Sequence, residues 1–98
     1  MAHRLSPEAE RDLDDIAYAI ARASGSLAIA ERLIDSIAAR FHLLAEHPRV
    51  GRARDDLFAG ARSFPVGNYI IVYGIDGEDV QILRIIHGRR NITALFGG

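Results

Sequence analysis

The side chains with the greatest chemical reach crowd near the end of this sequence. Arg84, His87, Arg89 and Arg90 fall within one short stretch, and Arg62 stands on the segment before it. A guanidinium is planar, permanently charged and shaped to grip phosphate or carboxylate, and histidine exchanges a proton near neutral pH. Together they could hold an anionic ligand or the acids of a protein partner. Basic residues at a strand end are equally often solvated or paired with local acids, and spacing leaves both readings open. Arg84 is the most informative member, because alternation places it on a face with Val80, Ile82 and Ile86, where a buried guanidinium needs a partner. Tyr69 falls opposite it, either as packing or as a contact.

Other chemistries are weaker. The chain has no cysteine, which excludes disulfides, thiolate nucleophiles and Cys-based zinc sites, and a reducing cytoplasm is the expected setting. All twelve basic residues are arginine, so lysine chemistry is out. His3, His42 and His47 lack metal-ligand spacing and read as surface residues. Ser24, Ser26, Ser36 and Ser63 fall in cap, helix or strand settings without a nucleophile-elbow pattern. Asp55 and Asp56 sit beside Arg52 and Arg54 as a loop charge cluster, and Gly88 alone does not make a phosphate-cradling loop. No cofactor or metal is expected.

Ninety-eight residues suffice for one domain, and a composition of 49% hydrophobic and 26% charged residues is that of a globular chain. No apolar run approaches a membrane span, and the charged N-terminus is unlike a signal peptide. The net charge of −1 is uneven: residues 1–48 carry five Arg against eight acids, and residues 49–98 carry seven Arg against five. An excess of two is far below the basic stripe of a protein that grips many phosphates, so direct nucleic-acid binding is not expected.

The elements that must position these residues follow from periodicity. A short strand over 2–5 leads into Ser6-Pro7-Glu8, which has the order of a helix cap, a first-turn proline and an acid at the positive helix end. Ala9, Leu13, Ile16, Ala17 and Ile20 then make one helical stripe over 7–24. Ser24-Gly25-Ser26 interrupts it, and Ala30, Leu33, Ile34, Ile37, Phe41 and Leu44 make a second stripe that ends at His47-Pro48. So short a connection makes the two an antiparallel helical hairpin. Residues 48–61 read as a surface loop. The period then falls to two, giving strands over Arg62–Val66, Tyr69–Ile75 and Asp79–His87. With Asp76-Gly77 as a two-residue turn, Tyr73 would face Val80, Ile71 would face Ile82 and Tyr69 would face Arg84; Ile70 would lie with Leu83 and Val66 with His87 on the other side. Both faces of this meander are mostly apolar. The hairpin covers one, Asn91–Phe96 part of the other, and a partner protein is expected over the remainder.

The order of these pieces resembles the ParE branch of the ParE/RelE toxin superfamily. The likeness lies in Leu5-Ser6-Pro7 with Ala9, Asp12-Leu13 and Ile16, His47-Pro48 with Gly51, Gly60-Ala61-Arg62, Tyr69-Ile70-Ile71-Val72-Tyr73, and Ile82-Leu83-Arg84-Ile85-Ile86-His87-Gly88-Arg89-Arg90. It implies an α+β single domain over 1–98: a short N-terminal strand, an antiparallel helical hairpin packed on a three- to four-stranded mainly antiparallel sheet, and a short C-terminal helical segment. RelE-type members resemble ribosome-dependent mRNA endonucleases, with an arginine in a Gly-Tyr-Arg-x-x-Tyr strand motif, lysines on the strand before it and a late tyrosine. Here Ile70 stands at the arginine position, no lysine accompanies Arg62 and Ser63, and Phe96 falls near the tyrosine; Arg90 alone matches. Losing those donors forfeits stabilisation of the phosphorane, at a few kcal/mol each. The resemblance therefore implies a non-enzymatic toxin that binds DNA gyrase and is neutralised by a ParD-like antitoxin. The alternatives are an endoribonuclease with an altered site and a non-toxic antitoxin-binding member. The contact residues it suggests for gyrase or antitoxin are Arg62, Tyr69, Tyr73, Arg84, His87, Arg89, Arg90 and Phe96.

Overall fold

The computed structural model describes residues 2–96. Strand β1 (His3–Leu5) runs into helix α1 (Pro7–Ser24), which turns back as α2 (Leu27–Glu46). Strands β2 (Arg52–Ala53), β3 (Arg62–Val66), β4 (Tyr69–Asp76) and β5 (Asp79–His87) follow, and a single helical turn, α3 (Ile92–Leu95), ends the described chain. The five strands form one sheet in the order β1-β5-β4-β3-β2, antiparallel except for the parallel pairing of β1 with β5. The α+β architecture and the hairpin are as the sequence predicts. The fifth strand is β2, two residues inside the stretch read as loop and too short to leave a period.

The helices begin and end where their sequence signals stand. Ser6 caps α1 by accepting the Ala9 N–H (3.0 Å), with Pro7 in the first turn. Gly25 ends the helix with φ at 68°, a left-handed conformation that a residue without Cβ adopts freely. Ser26 then caps α2 through the Ile29 N–H. The stripes meet the sheet: Ala9, Ile16, Ile37, Phe41 and Leu44 pack with Val66, Ile71, Tyr73, Val80, Ile82 and Ile85 in the main core.

The β4–β5 register differs from the expected one. The turn residues are Gly77 and Glu78, with Gly77 at positive φ and Glu78 not, the II′ arrangement; the Asp-Gly reading placed the turn one residue earlier. Tyr73 therefore pairs with Ile82 and Ile75 with Val80. Each partner moves by two residues, so Tyr73, Ile71, Val80 and Ile82 still share a face. A β-bulge between Val72 and Tyr73 on β4, with Leu83 as the extra residue on β5, then reverses the sides. Arg84 pairs with Val72 rather than Tyr69, Ile86 with Ile70, and His87 with Tyr69.

Much of the second face of the sheet is covered by the chain itself, by α3 as expected and also by the 48–61 segment, while Ile70 and Leu83 stay half-buried. Leu57 and Ala61 from the 48–61 segment and Ile92 from α3 bury Val72 and Ile86, and Phe58, Ile70, Leu95 and Phe96 pack around them. His3 is half-buried rather than fully at the surface: its ring lies 5.6 Å from Phe41 and 5.2 Å from His42, and burial followed by the neighbouring His42 lowers its pKa.

Tyr73 anchors the loop after α2. Its fully buried hydroxyl donates to Pro48 O (2.7 Å) and accepts the Gly51 N–H (2.9 Å). A Cβ at Gly51 would collide with that hydroxyl and ring and lie 2.9 Å from Ser63 O, so the approach requires glycine. Burial raises the Tyr73 pKa, outweighing the Gly51 hydrogen bond and Arg62. The unfolded tyrosine ionises near its ordinary value of about 10 while the folded one holds its proton, so this contribution is complete below pH 10 and lost as pH rises toward the folded pKa. Tyr73→Phe should lower the unfolding free energy by about 1–3 kcal/mol at neutral pH. In urea titrations the gap from wild type should narrow above pH 10; a constant gap would contradict this account.

Candidate functional site

The open edge of β5 is where the basic cluster begins. Strand β1 pairs only with residues 80–82, so from Leu83 onward β5 has no strand on that side. The first turns of α1 supply the missing partners. Ser6 N–H donates to Ile82 O (2.9 Å), the Ser6 hydroxyl donates to Leu83 O (2.8 Å), and Asp12 Oδ2 accepts the Ile85 N–H (2.9 Å). The same Asp12 carboxylate takes Arg84 through Nε (2.8 Å) and Nη2 (3.0 Å). Asp12 raises the Arg84 pKa first through this hydrogen-bonded pairing.

Arg84 therefore has the partner that its burial demands, and that partner belongs to its own chain. Asp12 is the residue that reading by pattern missed. It sits on the margin of the apolar stripe, between Ala9 and Ile16 at helical spacing, and a carboxylate at that position must meet a cation or an N–H.

The other cluster members divide. Arg62 is turned inward, its Nη1 donating to Gly51 O (2.8 Å) and Arg49 O (3.2 Å). With Tyr73, whose hydroxyl is buried, the half-buried Arg62 ties down the loop. Tyr69 and His87 meet edge to face at 5.3 Å. His87 Nδ1 accepts the Arg89 N–H (3.2 Å), which puts the proton of the neutral ring on Nε2. Tyr69, His87 and Arg89 line one open cleft with Pro65, Ile70 and Gly88 at the end of the sheet. Arg89 and Arg90 are exposed. Arg84 and Phe96 line a different groove with Glu8, Phe58, Leu83 and Leu95, where Phe96 leans on Phe58 at 5.5 Å.

Two of the four arginines, Arg62 and Arg84, are thus engaged internally. Arg54 holds Asp56 through two 3.0 Å contacts, an exposed pair, and the Asp55 carboxylate accepts the Gly60 N–H. The Asp55-Asp56 pair is the loop cluster that its neighbours suggested. Among the described residues no group of three or more His, Asp or Glu is placed to hold a metal ion, and no helix is long and apolar enough to cross a membrane.

The two ion pairs differ in setting and should differ in worth. The guanidiniums are alike, Arg84 at 22% and Arg54 at 18% exposed, but the carboxylates are not, Asp12 at 13% and Asp56 at 53%. Asp12→Ala strands a guanidinium and a strand N–H and should cost about 3 kcal/mol, while Asp56→Ala removes a solvent-screened carboxylate and should cost clearly less. Denaturant midpoints check the contrast, and hydrogen exchange at the Ile85 amide should accelerate only in Asp12→Ala. Equal costs would refute it.

Comparison with known proteins agrees with this geometry. The family model for the ParE toxin of type II toxin-antitoxin systems matches residues 4–92. Toxin ParE3 of Caulobacter vibrioides is 40% identical over 88% of this chain and 85% of its own, and Toxin ParE1 of the same organism is 32% identical over 97% of each. Among solved structures, the chromosomal ParDE toxin-antitoxin system of P. aeruginosa superposes with a TM-score of 0.78 at 22% identity, over 89% of this chain and 95% of that one, a likeness of fold. The RelBE2 toxin-antitoxin complex of Mycobacterium tuberculosis gives 0.54 at 31% identity, over 88% and 95%. With a family match along nearly its whole length and the fold in common, the chain belongs to the ParE toxin family of type II toxin-antitoxin systems.

Proposed function

We propose that the chain acts by binding DNA gyrase, without bond-making chemistry of its own, and is silenced by a ParD-like antitoxin in the cytoplasm. The observation that carries this reading is where the cations go. A phosphate-cleaving site needs several donors aimed at one point. Arg84 instead holds Asp12, Arg62 holds backbone carbonyls, and Ile70, at the position where the RelE-type motif has arginine, packs against the cluster of Val72 and Ile86. Membership of the family and likeness to two solved toxin-antitoxin systems support an antitoxin as the cognate partner.

The contact surface for gyrase or antitoxin then contracts to Tyr69, His87, Arg89, Arg90 and Phe96, while Arg62, Tyr73 and Arg84 maintain the fold that presents it. Exposed Arg89 and Arg90 suit an acidic segment, and an extended or helical antitoxin tail supplies one.

Purified protein added to a gyrase supercoiling reaction should inhibit it, and a ParD-like antitoxin should restore activity. Arg89→Ala with Arg90→Ala should weaken inhibition about tenfold or more, since guanidinium contacts in an interface are each worth a kcal/mol or more. Unchanged supercoiling at high excess would remove the gyrase reading. Transcripts cut at fixed codons would transfer the activity to the Tyr69, His87 and Arg89 cleft, and absence of any growth defect would leave a member that only binds its antitoxin.

A further inference from the structure

The helical hairpin carries a second surface that the basic cluster does not use. Near the connection between α1 and α2, the seam of the two helices opens into a groove of about 360 Å3. Its lining includes the small residues Ala17, Ala21 and Ala30 and the larger Ile34, with Tyr18 and Leu27 beside them. Tyr18 is 64% and Leu27 72% exposed, the two most exposed large apolar side chains described. Single exposed apolar residues are ordinary; two on one groove with a methyl-lined floor are a surface that loses free energy on being covered.

Its charge selects the occupant. Glu31 and Asp35, one helical turn apart, also line the groove, and among the described residues neither forms an ion pair. Arg22 on the adjoining turn of α1 is held on the Tyr18 side chain, donating to its hydroxyl (3.0 Å) with its guanidinium 5.7 Å over the ring, and Arg32, beside Glu31 in sequence, does not line the groove. A second copy docking by the same face would bring these carboxylates together, and an acidic tail would be repelled by them.

We infer that this groove docks a basic amphipathic helix of a protein partner, whose apolar stripe lies over Tyr18, Leu27 and the alanine floor while arginines or lysines one turn apart meet Glu31 and Asp35. The spacing matches, because neighbouring residues on one helix face recur every three to four positions. The groove shares no residue with the cleft at Tyr69, His87 and Arg89, so the chain can engage an acidic segment at one place and a basic helix at another. The inference does not depend on gyrase being the target.

The test uses the 15N-labelled full chain and two synthetic helical peptides with the same leucine stripe, one flanked by arginine and one by glutamate. The arginine peptide should shift the amides around Tyr18, Ala21, Leu27, Glu31 and Asp35 and bind about tenfold more tightly than the glutamate peptide at low salt. Glu31→Arg with Asp35→Arg should reverse that order. Leu27→Ser should weaken both; Leu27 is too exposed for the fold to need it. Equal binding of the two peptides, binding of neither, shifts centred on Arg89 and Arg90, or concentration-dependent self-association through the groove would each overturn the inference.

Discussion

A single carboxylate closes the most vulnerable edge of this small fold. Beyond the three residues paired with β1, strand β5 would present unpaired N–H and C=O groups, a template for unwanted pairing. Asp12, reaching from the second turn of α1, accepts the Ile85 N–H and two donors of Arg84 at once. Ser6 acts beside it, capping α1 while bonding two β5 carbonyls. These bonds fix the angle at which α1 leaves the sheet, and with it the position of the whole hairpin. In a chain without disulfides, polar contacts of this kind set one geometry where apolar packing alone would tolerate several.

The same contact decides what the basic cluster can do. Of the arginines grouped by sequence, those on the strands are turned to structural work, Arg84 on a helix and Arg62 on the loop that Tyr73 also holds. Arg89 and Arg90, past the end of β5, remain exposed. The bulge at Leu83 makes the division possible. It moves Arg84 off the face occupied by Val80 and Ile82, where a guanidinium would have to be buried in the main core, and brings His87 round to stack on Tyr69. The strand arginines thus serve the scaffold, and the two that follow the strand stay accessible.

Periodicity revealed the elements because each has one dominant period: the α1 and α2 stripes, bounded by Ser6, Gly25 and Ser26, agree closely with the helices observed. What it missed is non-local. The bulge leaves no trace in the alternation of Ile82 to Ile86, because every side chain there except Arg84 is apolar and suits either face. Gly77 at the first turn position moved the register because Asp76-Gly77 reads like a different turn. The cover over Val72 and Ile86 was hidden in a segment whose Leu57, Phe58 and Ala61 follow no helix or strand period, so the chain's own share of that cover could not be read from the sequence. Asp12 was quoted as part of a pattern, but its charge gained meaning only when Arg84 was found against it.

The account makes Arg84 a structural charge, and one substitution pair separates that role from contact with a target. Asp12→Asn with Arg84→Met removes both charges of the ion pair while the amide oxygen still accepts the Ile85 N–H, an exchange that buried pairs often tolerate. The double variant, induced without antitoxin and shown to be folded by circular dichroism, should arrest growth as the wild type does. A folded double variant that no longer arrests growth would contradict the account and return Arg84 to the surface that meets the target.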